Sequence, residues 1–401
     1  MSNNMKRMSV FPYAKHKSDI KYHFYVVSYF LSKYLEKYFY IDRIHTLGKG
    51  IKSENLLKNG IRNDETEYQK DKFSAKSREF ASFCSINNEY FKNVDFLLST
   101  SQRGFTKLRD REENAFKKIK QIKKNNPKLK LVSIQDHSGL RNYYEDILLV
   151  SIPFSDSHKK ILLDSTGTDA VYIGWCADHN ILKDCGKKNG DLNIVLDHSA
   201  LQSFRMDATS LYLRQLRALK KKHPNKDINL CRINKGFEFY DFKNNSWTFD
   251  LSNRWWSSKY DGGFSNGDGC SIFQIAECLN NSHIFCVTHV ESCGLTAIES
   301  LMAGCKLYNP SGKDRYNVWK GRGKKPGMAE YAGPFIKKSL LSDYMDYDIF
   351  DIKNEKKLFK MMERDLTSYK NHTNRIKLIE NHSWQSAAKR VYEGLVQKND
   401  K

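Results

Sequence analysis

Two carboxylates eight positions apart stand out in HVESCGLTAIESLMAGC, residues 289–305. Glu291 follows an apolar run, and Glu299 lies within the apolar segment that comes next. Carboxylates at such positions can accept hydrogen bonds from hydroxyl groups, with one acid for each of two sugar-like polyols. The alternative is structural, since Glu291 can cap a helix and Glu299 can be a solvated acid near the start of that helix.

A helix that begins between the two acids is suited to bind phosphate. The backbone N–H groups of its first turn are free, and the helix dipole favours negative charge. Gly294 would let phosphate oxygens approach the backbone, and the pair Ala303-Gly304 would let the helix leave close to the next strand. The predicted phosphate cradle consists of Gly294, Leu295 and Thr296. Two acids around such a cradle favour a nucleotide sugar as the ligand.

These residues belong to a chain in which predicted strands and helices alternate. Buried strands are predicted over 8–13, 94–100, 130–137, 146–152, 192–198, 227–233, 283–289 and 305–310. Helices are predicted over 19–39, 110–124, 207–222, 270–280 and 294–303. Such alternation implies parallel sheets covered on both faces, and 401 residues are too many for one ordinary core. We therefore expect an α/β fold with two Rossmann-like, doubly wound domains.

The polar segment ILKDCGKKNGD, residues 181–191, has the composition of a linker and predicts domains over 1–185 and 186–375. In open parallel sheets, ligands bind outside the carboxyl ends of the strands. Polar side chains at predicted strand ends are therefore further candidates for the site, although a surface loop explains each of them as well. These candidates are His137, Asp197, His198 and His289.

The balance of charge favours anionic partners. The chain carries 67 Lys and Arg against 46 Asp and Glu, a formal net charge of +21, which suits nucleic acid, acidic lipid or phosphorylated substrates. Its nine cysteines form no CxxC pair and indicate reduced thiols in the cytosol. We find no signal-peptide pattern and no run of 18 apolar residues, and we expect a cytoplasmic protein that does not span a membrane.

Two segments resemble the retaining GT-B glycosyltransferases of family four. FQIAECLNNSHIFCVTHVESCGLTAIESLMAGCKLY, residues 273–308, resembles their donor-binding segment, and NRIKLIENHSWQSAAKRVYEGL, residues 374–395, is similar to their C-terminal helix. The resemblance implies two Rossmann-like domains facing across a cleft, with a helix over 376–401 that returns to the N-terminal domain. It also implies transfer of a sugar, with retention of configuration, from a nucleotide-diphosphate donor to a hydroxyl of a glycan or lipid-linked acceptor.

The resemblance also assigns roles to the candidate residues. Glu291 would lie near the donor sugar, Glu299 would hold the ribose hydroxyls, and His137 would lie beside the donor sugar. The cradle over 294–296 would bind the diphosphate. No protein nucleophile is implied, and the nucleotide sugar is a co-substrate, so no cofactor is expected.

The sequence departs from the family where the diphosphate is neutralised. The family has an Arg and, about five residues on, a Lys after the first strand of the second domain, whereas this chain reads VLDHSALQSFRMDA. Since a departing diphosphate needs a positive group, Arg205 is the nearest basic candidate, with Lys235 or Lys313 as substitutes. The N-terminal segment VFPYAKHKSDIKYHF also lacks the glycine turn of the family.

A metal-dependent GT-A transferase is the first rival. It would need a DxD-like pair of carboxylates that holds a divalent cation, and Asp346 and Asp348 have that spacing. They follow the donor segment and precede the last helix, where we expect a solvated loop. We therefore predict no essential metal.

Three further alternatives stay open. Residues 19–39 have apolar side chains at helical spacing with lysines between them, which fits a core helix or a helix docked on an acidic membrane surface. A phage-type DNA-base glucosyltransferase would share the fold and the positive charge, but no nucleic-acid motif is present. A catalytically inactive nucleotide-sugar-binding protein would explain the missing Arg-Lys pair.

Overall fold

The chain forms two compact units. The computed structural model describes residues 5–12, 23–46, 78–102, 104–135, 143–151, 160, 163–164, 167–184, 186, 188–197, 208–233, 236–258, 270–288, 295–311 and 341–397. One unit is formed by Met1–Gly174 with Trp384–Lys401, and the other by Trp175–Ser383. None of the described helices is both long and apolar enough to span a membrane.

The first unit is built on a fully parallel sheet. Its described strands are β1 (Arg7–Phe11), β2 (Tyr40–Thr46), β3 (Glu79–Ser82), β4 (Phe96–Gln102), β5 (Lys130–Gln135), β6 (Ile147–Val150) and β7 (Asp169–Tyr172). They lie in the order β3-β2-β1-β4-β5-β6-β7, and each pairs in parallel with its neighbours. The order reverses between β1 and β4, which is the switch point of a doubly wound sheet.

The second unit repeats this plan with an antiparallel edge. Its described strands are β8 (Leu192–Asp197), β9 (Ile228–Ile233), β10 (Phe237–Asp241), β11 (Ser246–Thr248), β12 (Ile284–Cys286), β13 (Lys306–Ser311) and β14 (Tyr347–Asp351). They lie in the order β11-β10-β9-β8-β12-β13-β14; β9 with β10 and β10 with β11 pair antiparallel, and the other described pairs are parallel. The order reverses between β8 and β12. The predicted α/β fold with two Rossmann-like, doubly wound units is confirmed.

Helices connect the strands. The described α-helices are α1 (His23–Leu35), α2 (Gly104–Arg111), α3 (Glu113–Asn125), α4 (Thr209–Lys222), α5 (Ile272–Asn280), α6 (Leu295–Met302), α7 (Glu355–Ser368), α8 (Arg375–His382) and α9 (Trp384–Tyr392). A π-helical turn, Glu393–Gln397, follows α9. Helix α5 begins at a capping box, because the Ser271 hydroxyl accepts from the Gln274 N–H and the Gln274 side chain accepts from the Ser271 N–H.

Helix α1 belongs to the core of the first unit. Val27, Phe30, Leu31 and Leu35 are buried, and the helix packs against β4 and α9. Lys33 is exposed on the opposite side. The core interpretation of this segment is therefore confirmed, because its apolar face already has a partner inside the protein.

The division between the units lies before the predicted linker. Residues 175–184 belong to the second unit, and Trp175, Ala177 and Leu182 are buried in its core. The C-terminal part of the chain is divided as well. The backbone is extended at Ser383, which forms a bridge with Ala177, so that α8 ends in the second unit and α9 begins in the first.

The expectation of a solvated loop around Asp346 and Asp348 is wrong. Asp348 lies in β14, and Asp346 is buried just before it, where its carboxylate accepts from the His372 N–H at 2.9 Å. Burial raises the pKa of Asp346, and the His372 N–H and Lys306 oppose this effect. The sequence does not reveal the reason, which is that Lys306 on the neighbouring strand β13 is itself buried and needs acids around it.

The Lys306 ammonium is neutralised mainly by Asp365 on α7. Their charged atoms are 3.3 Å apart, and Asp365 also accepts from the Tyr308 hydroxyl at 2.6 Å and from the Arg364 guanidinium at 2.8 Å. Burial raises the pKa of Asp365, but the hydrogen bonds from Arg364 and Tyr308 and the charge of Lys306 lower it more, so it stays ionised. This network ties α7 to β13.

Replacing Asp365 with Ala should therefore destabilise the second unit. The change leaves a buried ammonium without its nearest carboxylate, which costs about 3 kcal/mol or more of unfolding free energy. Glu363→Ala on the same helix is the matched control and should cost at most about 1 kcal/mol, since Glu363 pairs at the surface with Lys222 and His223. Calorimetric unfolding of both variants measures the difference, and equal losses would contradict this account of the network.

Candidate functional site

The candidate site lies at the switch point of the second sheet. Asp197 is the last residue of β8, and Val287 and Thr288 directly follow β12. The Thr288 hydroxyl donates to the Asp197 carbonyl, and the Ala208 N–H donates to the Thr288 carbonyl at 2.7 Å. These bonds fix the carboxyl ends of the two strands beside the start of α4.

Tyr212 on α4 contacts the same part of the sheet. Its side chain is fully buried, and its hydroxyl is 3.2 Å from the Val287 carbonyl oxygen and 3.3 Å from the Tyr308 carbonyl oxygen. Burial raises the pKa of Tyr212 well above its usual value, with Cys286 adding to the effect, so the phenol remains a neutral donor. Helix α4 is thereby fixed to β12 and β13. Sequence reasoning missed Tyr212, because a tyrosine in an amphipathic helix carries no signal of its partner.

Glu299 is the unusual member of the site. It lies on α6, its residue is only 3% exposed, and no described residue donates a hydrogen bond to its carboxyl group. Burial, and then the negative charge of Asp197, raise its pKa to about 8. The charge of Asp197 is thus felt at Glu299. A solvated acid is therefore the wrong description of Glu299, because α6 buries every residue from Ala297 to Met302.

The backbone conformation after α6 explains why a glycine, Gly304, follows this helix. Gly304 has a φ of +78°, and a Cβ there would lie 2.5 Å from the Asp184 Cγ. Both facts require glycine at this position. The Cys305 N–H then donates to the Ser300 carbonyl at 2.9 Å and closes the end of the helix before β13 begins.

The structure brings together some of the predicted site residues. Asp197 ends β8 and its charge raises the pKa of Glu299 on α6, and Leu295 and Thr296 form the half-buried first turn of α6. The other candidates lie outside the described residues, so their roles remain predictions. These are Glu291, Gly294, His137, His198, Arg205 and His289, together with the substitutes Lys235 and Lys313.

The described residues also bear on metal binding. In that part of the chain, no group of three or more His, Cys, Asp or Glu side chains is arranged to hold a metal ion. Asp346 and Asp348 instead belong to the network around Lys306. That the reaction needs no metal remains a prediction.

Several solved structures have a backbone similar to that of this chain. HepE of Anabaena in complex with UDP-glucose is 8% identical over 98% of this chain and 99% of that chain, with a TM-score of 0.49. A Listeria monocytogenes protein named as a UDP-N-acetylglucosamine 2-epimerase is 11% identical over 99% and 97%, with a TM-score of 0.46. In the GtfA/B complex the identity is 12% over 76% of this chain, with a TM-score of 0.39.

The chain spans 57% of the length of the matched chain in the GtfA/B complex. No protein-family model and no curated protein matches the sequence. At these identities and scores, the likenesses assign neither a reaction nor a ligand to this chain.

The burial of Glu299 predicts a specific dependence of stability on pH. The folded chain binds a proton at Glu299 more tightly than the unfolded chain does, with a pKa of about 8 against an ordinary 4.5. The contribution of Glu299 to stability is therefore fully present below pH 4.5 and falls by up to about 1.4 kcal/mol per pH unit until pH 8.

Glu299→Gln should remove this dependence, because the amide stays neutral at every pH. At low pH both side chains are neutral and the two proteins should have similar stability, whereas the wild type should become less stable than this variant as the pH rises. Thermal unfolding of both proteins across this pH range measures the difference. If the melting temperatures of the two proteins changed with pH in the same way, the pKa of Glu299 would not be raised in the folded protein.

Proposed function

We propose that the chain is a glycosyltransferase of the GT-B type that binds a nucleotide-diphosphate sugar in its second unit. The observation that carries this proposal is the buried Glu299 carboxyl group on α6, to which no described residue donates a hydrogen bond. Burying a carboxyl group without hydrogen-bond donors is costly, and a bound ligand is one way to supply these donors.

Ribose hydroxyls are the partners that fit Glu299 best. An ionised carboxylate accepts two hydrogen bonds from adjacent hydroxyl groups, and these bonds favour the charged form. A cationic ligand group would serve the carboxylate as well, but it would not use the phosphate-binding start of a helix that follows a parallel strand. The position of α6 directly after β12 therefore favours a nucleotide, with its diphosphate near Leu295 and Thr296.

The remaining roles follow the family resemblance. Glu291 contacts the donor sugar, His137 lies beside that sugar, and Arg205 neutralises the departing diphosphate. The sugar passes to a hydroxyl of a glycan or lipid-linked acceptor with retention of configuration, and the leaving diphosphate takes the acceptor proton. The protein then contributes orientation and charge stabilisation, and no metal takes part.

Nucleotide binding should release a proton through Glu299. The carboxyl group is largely protonated near pH 7 in the free protein, since its pKa is about 8. Hydrogen bonds from ribose hydroxyls would lower this pKa, so binding should release up to about one proton per nucleotide. Calorimetric titration with UDP, GDP, ADP and CDP in buffers of different ionisation enthalpy measures that number.

Glu299→Gln should bind the preferred nucleotide about 10-fold or more weakly and release no proton, because the bonds to a charged acceptor are lost. Glu380→Gln is the control, since Glu380 is exposed on α8, and it should match the wild type. Unchanged affinity and proton release in Glu299→Gln would remove the basis of the proposal.

Glu291→Ala should lower turnover more than it weakens donor binding. A group that contacts the sugar in the transition state affects kcat, whereas Glu299 acts on the nucleotide in both ground and transition states. The assay is release of nucleoside diphosphate from the donor sugar, and we expect kcat to fall about 10-fold or more with little change in Kd. Wild-type protein that binds the donor but never turns it over would instead indicate the inactive binding protein.

A further inference from the structure

The first unit has a switch point of its own, between β1 and β4, and α2 is the helix that follows β4. The first turn of a helix beside such a switch point presents N–H groups that can bind a ligand's phosphate. Here a side chain of the protein, Glu145, occupies it. We propose that the Glu145 carboxylate is an internal anion that closes the start of α2 to phosphate groups.

The contacts of Glu145 are those of a bound anion. The residue is buried, and its Oε1 accepts from the N–H groups of Phe105 at 2.9 Å and Thr106 at 3.0 Å, both in the first turn of α2. The Ser133 hydroxyl donates to the same oxygen at 3.0 Å. Oε2 accepts from the Thr106 hydroxyl and from the Tyr144 N–H at 3.1 Å. Successive helix amides with flanking hydroxyls are also the donors that bind phosphate.

The charge of Glu145 is balanced by these donors. Among the described residues, no Lys, Arg or His pairs with it. The helix dipole and the N–H groups therefore take the place of a cation. A phosphate at the start of α2 would have to compete for the same N–H groups and would be repelled by the carboxylate.

The start of α2 is packed closely against β4. A Cβ at Gly104 would lie 2.0 Å from the Ser99 Oγ and 2.3 Å from the Ser99 Cβ, so the helix rests directly on β4. Glu145 itself precedes β6, and the backbone carbonyl of Glu145 accepts from the Thr168 hydroxyl at 2.9 Å. The carboxylate is thus held between two fixed elements of the sheet.

The two units differ in the hydrogen bonds that their buried glutamates, Glu145 and Glu299, accept. The switch point of the first unit carries a carboxylate whose hydrogen bonds are complete, whereas that of the second carries Glu299, to which no described residue donates. If the proposed function holds, Glu145 keeps the phosphates of the nucleotide away from the start of α2. The closure of this helix start stands on its own contacts and is tested without any nucleotide.

Inorganic phosphate is the probe. Glu145→Ala should lower the melting temperature of the protein. It should also leave the hydrogen-bond donors at the start of α2 free to bind phosphate. Phosphate at about five times its Kd should then raise the melting temperature by about 2 to 4 °C over sodium chloride of equal ionic strength. The wild type and Glu145→Gln should show no such difference, because in both the donors are still covered by the side chain. If Glu145→Ala does not fold, Glu145→Ser takes its place, since the serine side chain is also too short to cover the N–H groups of α2 but keeps a hydroxyl among these polar groups.

An equal phosphate effect in the wild type and the opened variant would overturn the proposal, as would the lack of any effect in the opened variant. Neither result bears on Glu299, because the proton release and nucleotide affinity of the second unit are measured separately. A failure of the nucleotide experiments would likewise leave the phosphate result intact. The two proposals can therefore fail independently.

Discussion

The parallel pairing of β8 with β12 is the contact on which the candidate site depends. Ile284, Phe285 and Cys286 lie beside Ile194, Val195 and Leu196, and all of these residues are buried. In the sheet β9 lies beside β8 on one side and β13 lies beside β12 on the other, which makes the β8–β12 pair a switch point. Asp197 and Thr288 lie at the same end of the sheet because these strands run side by side in parallel.

The second constraint is the cost of buried charge, which the protein meets in three ways. Lys306 and Asp365 neutralise each other within a hydrogen-bonded network. Glu145 uses helix amides and hydroxyls in place of a cation. No described residue pairs with Glu299 or donates a hydrogen bond to it, and its pKa is raised instead. The first two arrangements stabilise the fold, and the third leaves hydrogen-bonding capacity for a ligand.

The elements that bury continuous apolar runs were predictable within a few residues. The run over 192–198 became β8, and the segment over 270–280 became α5 with its capping box at Ser271. Prediction was poorer where tertiary partners decide the structure. The tail over 374–395 is interrupted at Ser383 by a bridge to Ala177, a residue about 200 positions away. The strand β14 was missed because its acidic residues balance a lysine on another strand.

The sequence by itself determined the alternation of strands and helices, the two-unit α/β fold and the pair of acids around the start of α6. Local periodicity and the residues at strand ends carry that information, since they depend on neighbours in the chain. Only the tertiary structure decided that Glu299 is buried near Asp197 and that Glu145 fills the helix start of the first unit. Whether a carboxylate is solvated, paired or left for a ligand depends on which distant residues surround it, and the fold alone brings those residues together.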